Sequence, residues 1–80
     1  MSVKINILQV VKTVEIDGLS YTILNLICGL DGRRPRTVSE TSQETGRSLS
    51  LVYSRIAKMR KLGLIDSERR PAKLEILQNA

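Results

Sequence analysis

Between Thr37 and Gly63 the chain carries two helical signals back to back, separated only by a turn of three or four residues at Gly46. Ser39 can cap a short first helix, with Glu40 and Glu44 near its positive end. Gly46 suits the left-handed position that ends such a helix. Ser48 or Ser50 then caps a second helix, whose inward positions Val52, Ile56 and Met59 are spaced four and three apart and continue to Leu62. Gly63 ends it. Two helices joined by so short a turn form the helix-turn-helix pattern, and the rest of the chain must pack around that pair.

The flanks are read in the same way. Asp17-Gly18 and Asp31-Gly32 are turn signals. Between them Ser20 can cap a helix with Ile23, Leu24, Ile27 and Leu30 on one face. Arg33-Arg34-Pro35-Arg36 follows as a basic loop, in which Pro35 cannot continue a helix. Before residue 17 the apolar positions 3, 7, 10, 11 and 14 make a helical stripe, and a helix over 5–14 is favoured. Val3, Ile5 and Ile7 also alternate, and β-branched residues suit a strand as well. This segment either completes the core or forms a dimer interface. At the other end, residues 64–68 and 73–77 read as two short strands around the basic tip Arg69-Arg70-Pro71-Ala72. In the second strand Leu74 and Ile76 share one face, and Lys73 and Glu75 the other.

Eighty residues suffice for one small domain. Its net charge of +5 favours an anionic partner, and the charge is unevenly placed. Residues 1–32 carry two Lys/Arg against three Asp/Glu, a net −1, whereas residues 33–80 carry eleven against five, a net +6. The single cysteine, Cys28, lies among Leu24, Leu26, Ile27 and Leu30, so it reads as a small core hydrophobe and allows no internal disulfide. Without histidine, a carboxylate pair or a phosphate loop, the chain is not expected to be an enzyme, and no cofactor or metal is expected. The start lacks an apolar signal core and no run of about 18 apolar residues occurs, so a cytoplasmic protein away from membranes is expected.

Residues 37–65, TVSETSQETGRSLSLVYSRIAKMRKLGLI, resemble the winged helix-turn-helix domains of bacterial and archaeal transcription regulators, of the multiple-antibiotic-resistance and arsenical-repressor types. The likeness is carried by Thr37, Val38, Ser39, Glu40, Gly46, Ser48, Ser50, Val52, Ile56, Gly63, Leu64 and Ile65, and with its flanks covers about 19–77. Thr41, Ser42 and Thr45 depart from it, standing where Leu and Ala are usual. The resemblance implies an α+β, mostly α fold: an N-terminal segment over 1–18, a three-helix core over 19–63 and a C-terminal β-hairpin wing over 64–77. The implied function is transcription regulation by sequence-specific binding of double-stranded DNA as a homodimer. A helix at about 49–62 would enter the major groove, and a wing at 68–73 would lie on the backbone or in the minor groove.

With Val52, Ile56 and Met59 inward, Ser50, Ser54, Ala57 and Lys61 face outward, flanked by Leu51, Tyr53 and Lys58. Such small central residues admit a helix to the major groove. The candidate DNA-contacting residues are Arg47, Ser48, Ser50, Leu51, Tyr53, Ser54, Arg55, Lys58 and Lys61 on and before the helix, with Arg69, Arg70 and Lys73 on the wing. Arg33, Arg34 and Arg36 form either a second phosphate clamp or a solvated loop. The outer helix face likewise has a bland reading as a solvated side. A protein-interaction module of a transcription or replication assembly is the alternative function, kept open by the apolar Leu49 and Leu51.

Overall fold

The computed structural model describes residues 2–79. It opens with a hairpin of β1 (Ser2–Ile7) and β2 (Lys12–Asp17), then three helices, α1 (Gly18–Cys28), α2 (Val38–Thr45) and α3 (Leu49–Lys61), and closes with β3 (Leu74–Asn79). The three strands form one antiparallel sheet in the order β2-β1-β3.

The N-terminal segment is therefore strand, and the helix over 5–14 does not form. Antiparallel pairing runs from Ser2 opposite Asp17 to Ile7 opposite Lys12. It places Val3, Ile5, Ile7, Val14 and Ile16 on one face, all buried. The period-two alternation of β-branched residues outweighs the looser helical stripe, because a strand buries all five together. These five side chains belong to the core, while Leu8, Val10 and Val11 at the hairpin tip are exposed.

Each helix begins at a cap that fits its first turn. Asp17, not Ser20, caps α1: its carboxylate accepts from the Ser20 amide at 2.7 Å, and Ser20 itself is buried in the first turn. Thr37, not Ser39, caps α2 in a reciprocal box with Glu40, at 3.1 Å and 3.0 Å. Ser48 caps α3 by accepting from the Leu51 amide at 3.1 Å. Gly29 and Gly46 end α1 and α2 with φ of 67° and 69°, a left-handed conformation that costs glycine little. The departures in α2 are accommodated by back-bonding: the Thr41 hydroxyl is fully buried and donates to the Thr37 carbonyl at 2.9 Å, and the Thr45 hydroxyl donates to the Thr41 carbonyl at 2.8 Å.

The architecture is not a helix core with a C-terminal wing hairpin. Residues 64–68 and 73–77 do not pair as two strands; a single bridge joins Ile65 to Pro71. Leu64 and Ile65 are both buried although adjacent, which alternating strand side chains do not allow on a one-sided sheet. Asp66 then accepts from the amides of Glu68 and Arg70 at 2.8 Å and 2.9 Å, folding residues 66–70 into a tight loop. β3 instead adds to the free edge of β1, with Leu74 opposite Ile7 and Ile76 opposite Ile5. The edge of an apolar strand offers a longer ladder than the polar Asp66-Ser67-Glu68 could. Val52, Ile56 and Met59 of α3 meet Ile23, Leu24 and Ile27 of α1 in the core, which Leu64 and the apolar face of the sheet complete.

Candidate nucleic-acid interface

The outer face of α3 follows from its inner one. With Val52, Ile56 and Met59 buried, Leu49, Ser50, Tyr53, Ser54, Ala57, Lys58, Arg60 and Lys61 are exposed. Its centre is small (Ser50, Ser54, Ala57), and its last turn carries Lys58, Arg60 and Lys61. These cations also lie favourably against the negative helix end. No Asp or Glu occurs anywhere in α3.

The turn ahead of α3 is held from both sides. The Arg47 amide donates to the Ser42 carbonyl at 3.2 Å, and the Ser42 hydroxyl donates to the Arg47 carbonyl at 2.5 Å. Arg47 is thereby fixed in the backbone while its side chain projects into solvent beside the helix N-terminus. Ser48 is committed to its cap.

Ion pairing separates the basic residues into two sets. Arg55 belongs to the interior set: its guanidinium lies 2.5 Å from the Asp17 carboxylate and donates to the Ser20 hydroxyl at 3.1 Å. It points to the β2–α1 corner, in an ion pair with Asp17, and away from the outer face of α3. Leu51 is half-buried against the core and is likewise no outward residue.

The loop over 33–36 does not assemble a phosphate clamp. Arg36 is 8% exposed; it forks onto Asp31 at 2.8 Å and 3.0 Å, lies 3.3 Å from Glu44, and donates to the Arg34 carbonyl at 2.8 Å. Arg34 forks onto Glu40, so only Arg33 of the three is without an ion pair among the described residues. The Arg34 hydrogen bonds and the Thr37 amide drive the Glu40 carboxyl down to about 2. Asp31 is lowered in the same direction by Arg36.

The basic tip is also changed. Arg70 is paired with Asp66 at 3.6 Å and with Glu68. Arg69 is half-buried with φ of 63°, and its carbonyl accepts from the Cys28 thiol at 3.4 Å. Burial, helped by the negative charge of Asp66, pushes that thiol up to about 11. Lys73 is exposed, and its amide donates to the Gln9 side chain at 3.3 Å.

Comparison with known protein families, with curated proteins and with solved structures finds no match.

Among the described residues, the cations of the α3 region outside any ion pair are Arg47, Lys58, Arg60 and Lys61. Arg60 was not among the residues expected from the sequence. Its Nε donates to the Asp66 carbonyl at 3.5 Å, which brings the end of α3 against the 66–70 loop. Three basic residues in the last turn of one helix, Lys58, Arg60 and Lys61, are the signal for it. Among the described residues no group of three or more His, Cys, Asp or Glu could hold a metal, and no helix is long and apolar enough to cross a membrane.

Proposed function

We propose that the chain binds double-stranded DNA through the outer face of α3 and acts as a sequence-specific regulator of transcription in the cytoplasm. One observation carries the reading: the acid-free face of α3 has a small centre, Ser50, Ser54 and Ala57, bounded by Arg47, Lys58, Arg60 and Lys61, which lie outside any ion pair among the described residues. Small central side chains let a helix backbone approach the floor of the major groove, which admits one α-helix. Cations at its two ends then meet phosphates on either wall, setting affinity without selecting sequence.

A homodimer is part of the proposal, because two half-sites about one helical turn apart need two reading helices. Val3, Ile5, Ile7, Val14 and Ile16 are spent in the core, whereas Leu8, Val10 and Val11 at the hairpin tip are exposed and available to a second copy. Ile76 and Leu77 are exposed on β3, whose outer edge is open.

Duplex binding measured between about 50 and 200 mM salt tests the proposal. A steep loss of affinity with salt is expected, with a slope matching about four neutralised phosphates. Absence of duplex binding at 50 mM salt overturns it. The exposure of Leu49 and Tyr53, 50% and 53%, favours a second reading as a protein-interaction module, to which that failure would lead.

A further inference from the structure

We infer that α3 selects DNA through the C5 methyl groups of thymine, with Leu49 and Tyr53 as the contacting side chains. The inference rests on the DNA-binding reading above.

Leu49 and Tyr53 stand four residues apart in the first two turns of α3 and are about half exposed. Side chains four apart are neighbours on one helix face. Ala57, also exposed, continues the same ridge one turn further. Isolated exposed apolar residues need no explanation, but here two large ones share a face whose remaining residues are Ser50, Ser54 and cations. The hairpin tip and β3 carry the other exposed apolar side chains except Leu30.

The polar alternatives for base reading are missing from these turns. Guanine is read by a forked Arg or Lys and adenine by a forked Asn or Gln. Residues 49–54 contain none of these, and Arg55 is occupied by Asp17 and Ser20. The free cations lie before the helix or in its last turn, where they suit phosphates. What residues 49–54 present is apolar surface with hydroxyls. The apolar feature that distinguishes base pairs in the major groove is the thymine methyl. Four residues of helix rise about 6 Å, close to two base steps of about 3.4 Å along a strand. Leu49 and Tyr53 therefore fit thymines about two steps apart.

The test compares an alternating adenine–thymine duplex with the same duplex carrying deoxyuridine for thymidine. That change removes the C5 methyl and leaves base pairing and the minor-groove edges intact. A guanine–cytosine duplex with and without 5-methylcytosine supplies the converse. About four-fold weaker binding is expected for each buried methyl removed, and about fifteen-fold for two. Methylcytosine should recover part of the affinity lost in the guanine–cytosine duplex. Leu49→Ser with Tyr53→Ser should abolish the thymine–uracil difference while leaving the salt slope unchanged, and both positions are exposed enough to keep the fold, checked by thermal unfolding. Salt-dependent binding indifferent to the methyl, or a difference that survives both substitutions, overturns this inference and leaves the DNA-binding reading standing. No salt-dependent binding to any duplex overturns both.

Discussion

The Arg55 guanidinium lies 2.5 Å from the Asp17 carboxylate and ties the middle of α3 to the corner where β2 becomes α1. Asp17 also caps α1 through the Ser20 amide, and that hydrogen bond is the main cause holding its carboxyl below the ordinary range, with Arg55 adding to it. Asp17→Ala should therefore cost about 1–2 kcal/mol through the cap. Arg55→Ala should cost less, since its pair is partly solvated. Urea unfolding measures both. The same variants separate structure from binding: Arg47→Ala and Lys58→Ala should each lower the DNA salt slope by about one contact, and Arg55→Ala should not. A full unit of slope lost in Arg55→Ala would mean that this side chain leaves Asp17 for phosphate.

Acid should weaken the fold through Glu40. Its folded value is about 2 against an ordinary 4.5, a depressed carboxyl, so its contribution is complete above pH 4.5 and is lost as pH falls toward 2. Asp17 and Asp31 act in the same direction. Urea midpoints followed from pH 6 to pH 2 should fall with pH, and Glu40→Gln should flatten that fall. An unchanged fall in the variant would mean that the Arg34–Glu40–Thr37 cluster does not form in solution.

Two left-handed glycines should respond differently to alanine. At Gly46 an added Cβ meets open space, so Gly46→Ala costs only the conformational penalty, about 1–2 kcal/mol. At Gly29 the Cβ would lie 2.6 Å from the Arg33 carbonyl oxygen and 2.9 Å from the Pro35 nitrogen. Both are backbone, so the 33–36 loop must move and Arg36 must leave its acidic partners. Thermal unfolding should show Gly29→Ala as clearly the more damaging; equal losses would mean that the loop shifts freely.

Cys28 should react slowly with iodoacetamide. A thiol raised from 9.0 to about 11 has roughly a hundredfold less thiolate at pH 8, and it is half-buried against the Arg69 carbonyl. Unfolding in urea should restore the rate of a free cysteine peptide. Rapid alkylation of the folded chain would show that the 66–70 loop opens readily.

The legible part of the protein was local. Gly46 ends α2 and Ser48 opens α3 where the residue pattern places them, and Val52, Ile56 and Met59 face the core as their spacing requires. Two caps lie earlier than the residue pattern suggests, at Asp17 three residues before Ser20 and at Thr37 two residues before Ser39. Both helix starts offer two nearby side chains able to cap, and the extended backbone of the cap residue, not its type, decides between them. The outer face of α3 was legible for the same reason as its inner face. Which arginines remain free on that side was not.

Sequence by itself determined the elements whose causes lie within about five residues: three helices, the glycine ends of α2 and α3, and the acid-free outer face of α3. Tertiary structure alone decided what residues 74–79 pair with, and which charges cancel. β3 passes over its near neighbour, residues 64–68, and joins β1 some seventy positions away, because β1 has a free apolar edge whereas Asp66 has already closed the nearer segment into a loop. Arg55 finds Asp17 across 38 positions and Cys28 finds Arg69 across 41. Such contacts depend on where the packed core leaves each side chain, and no local pattern records that.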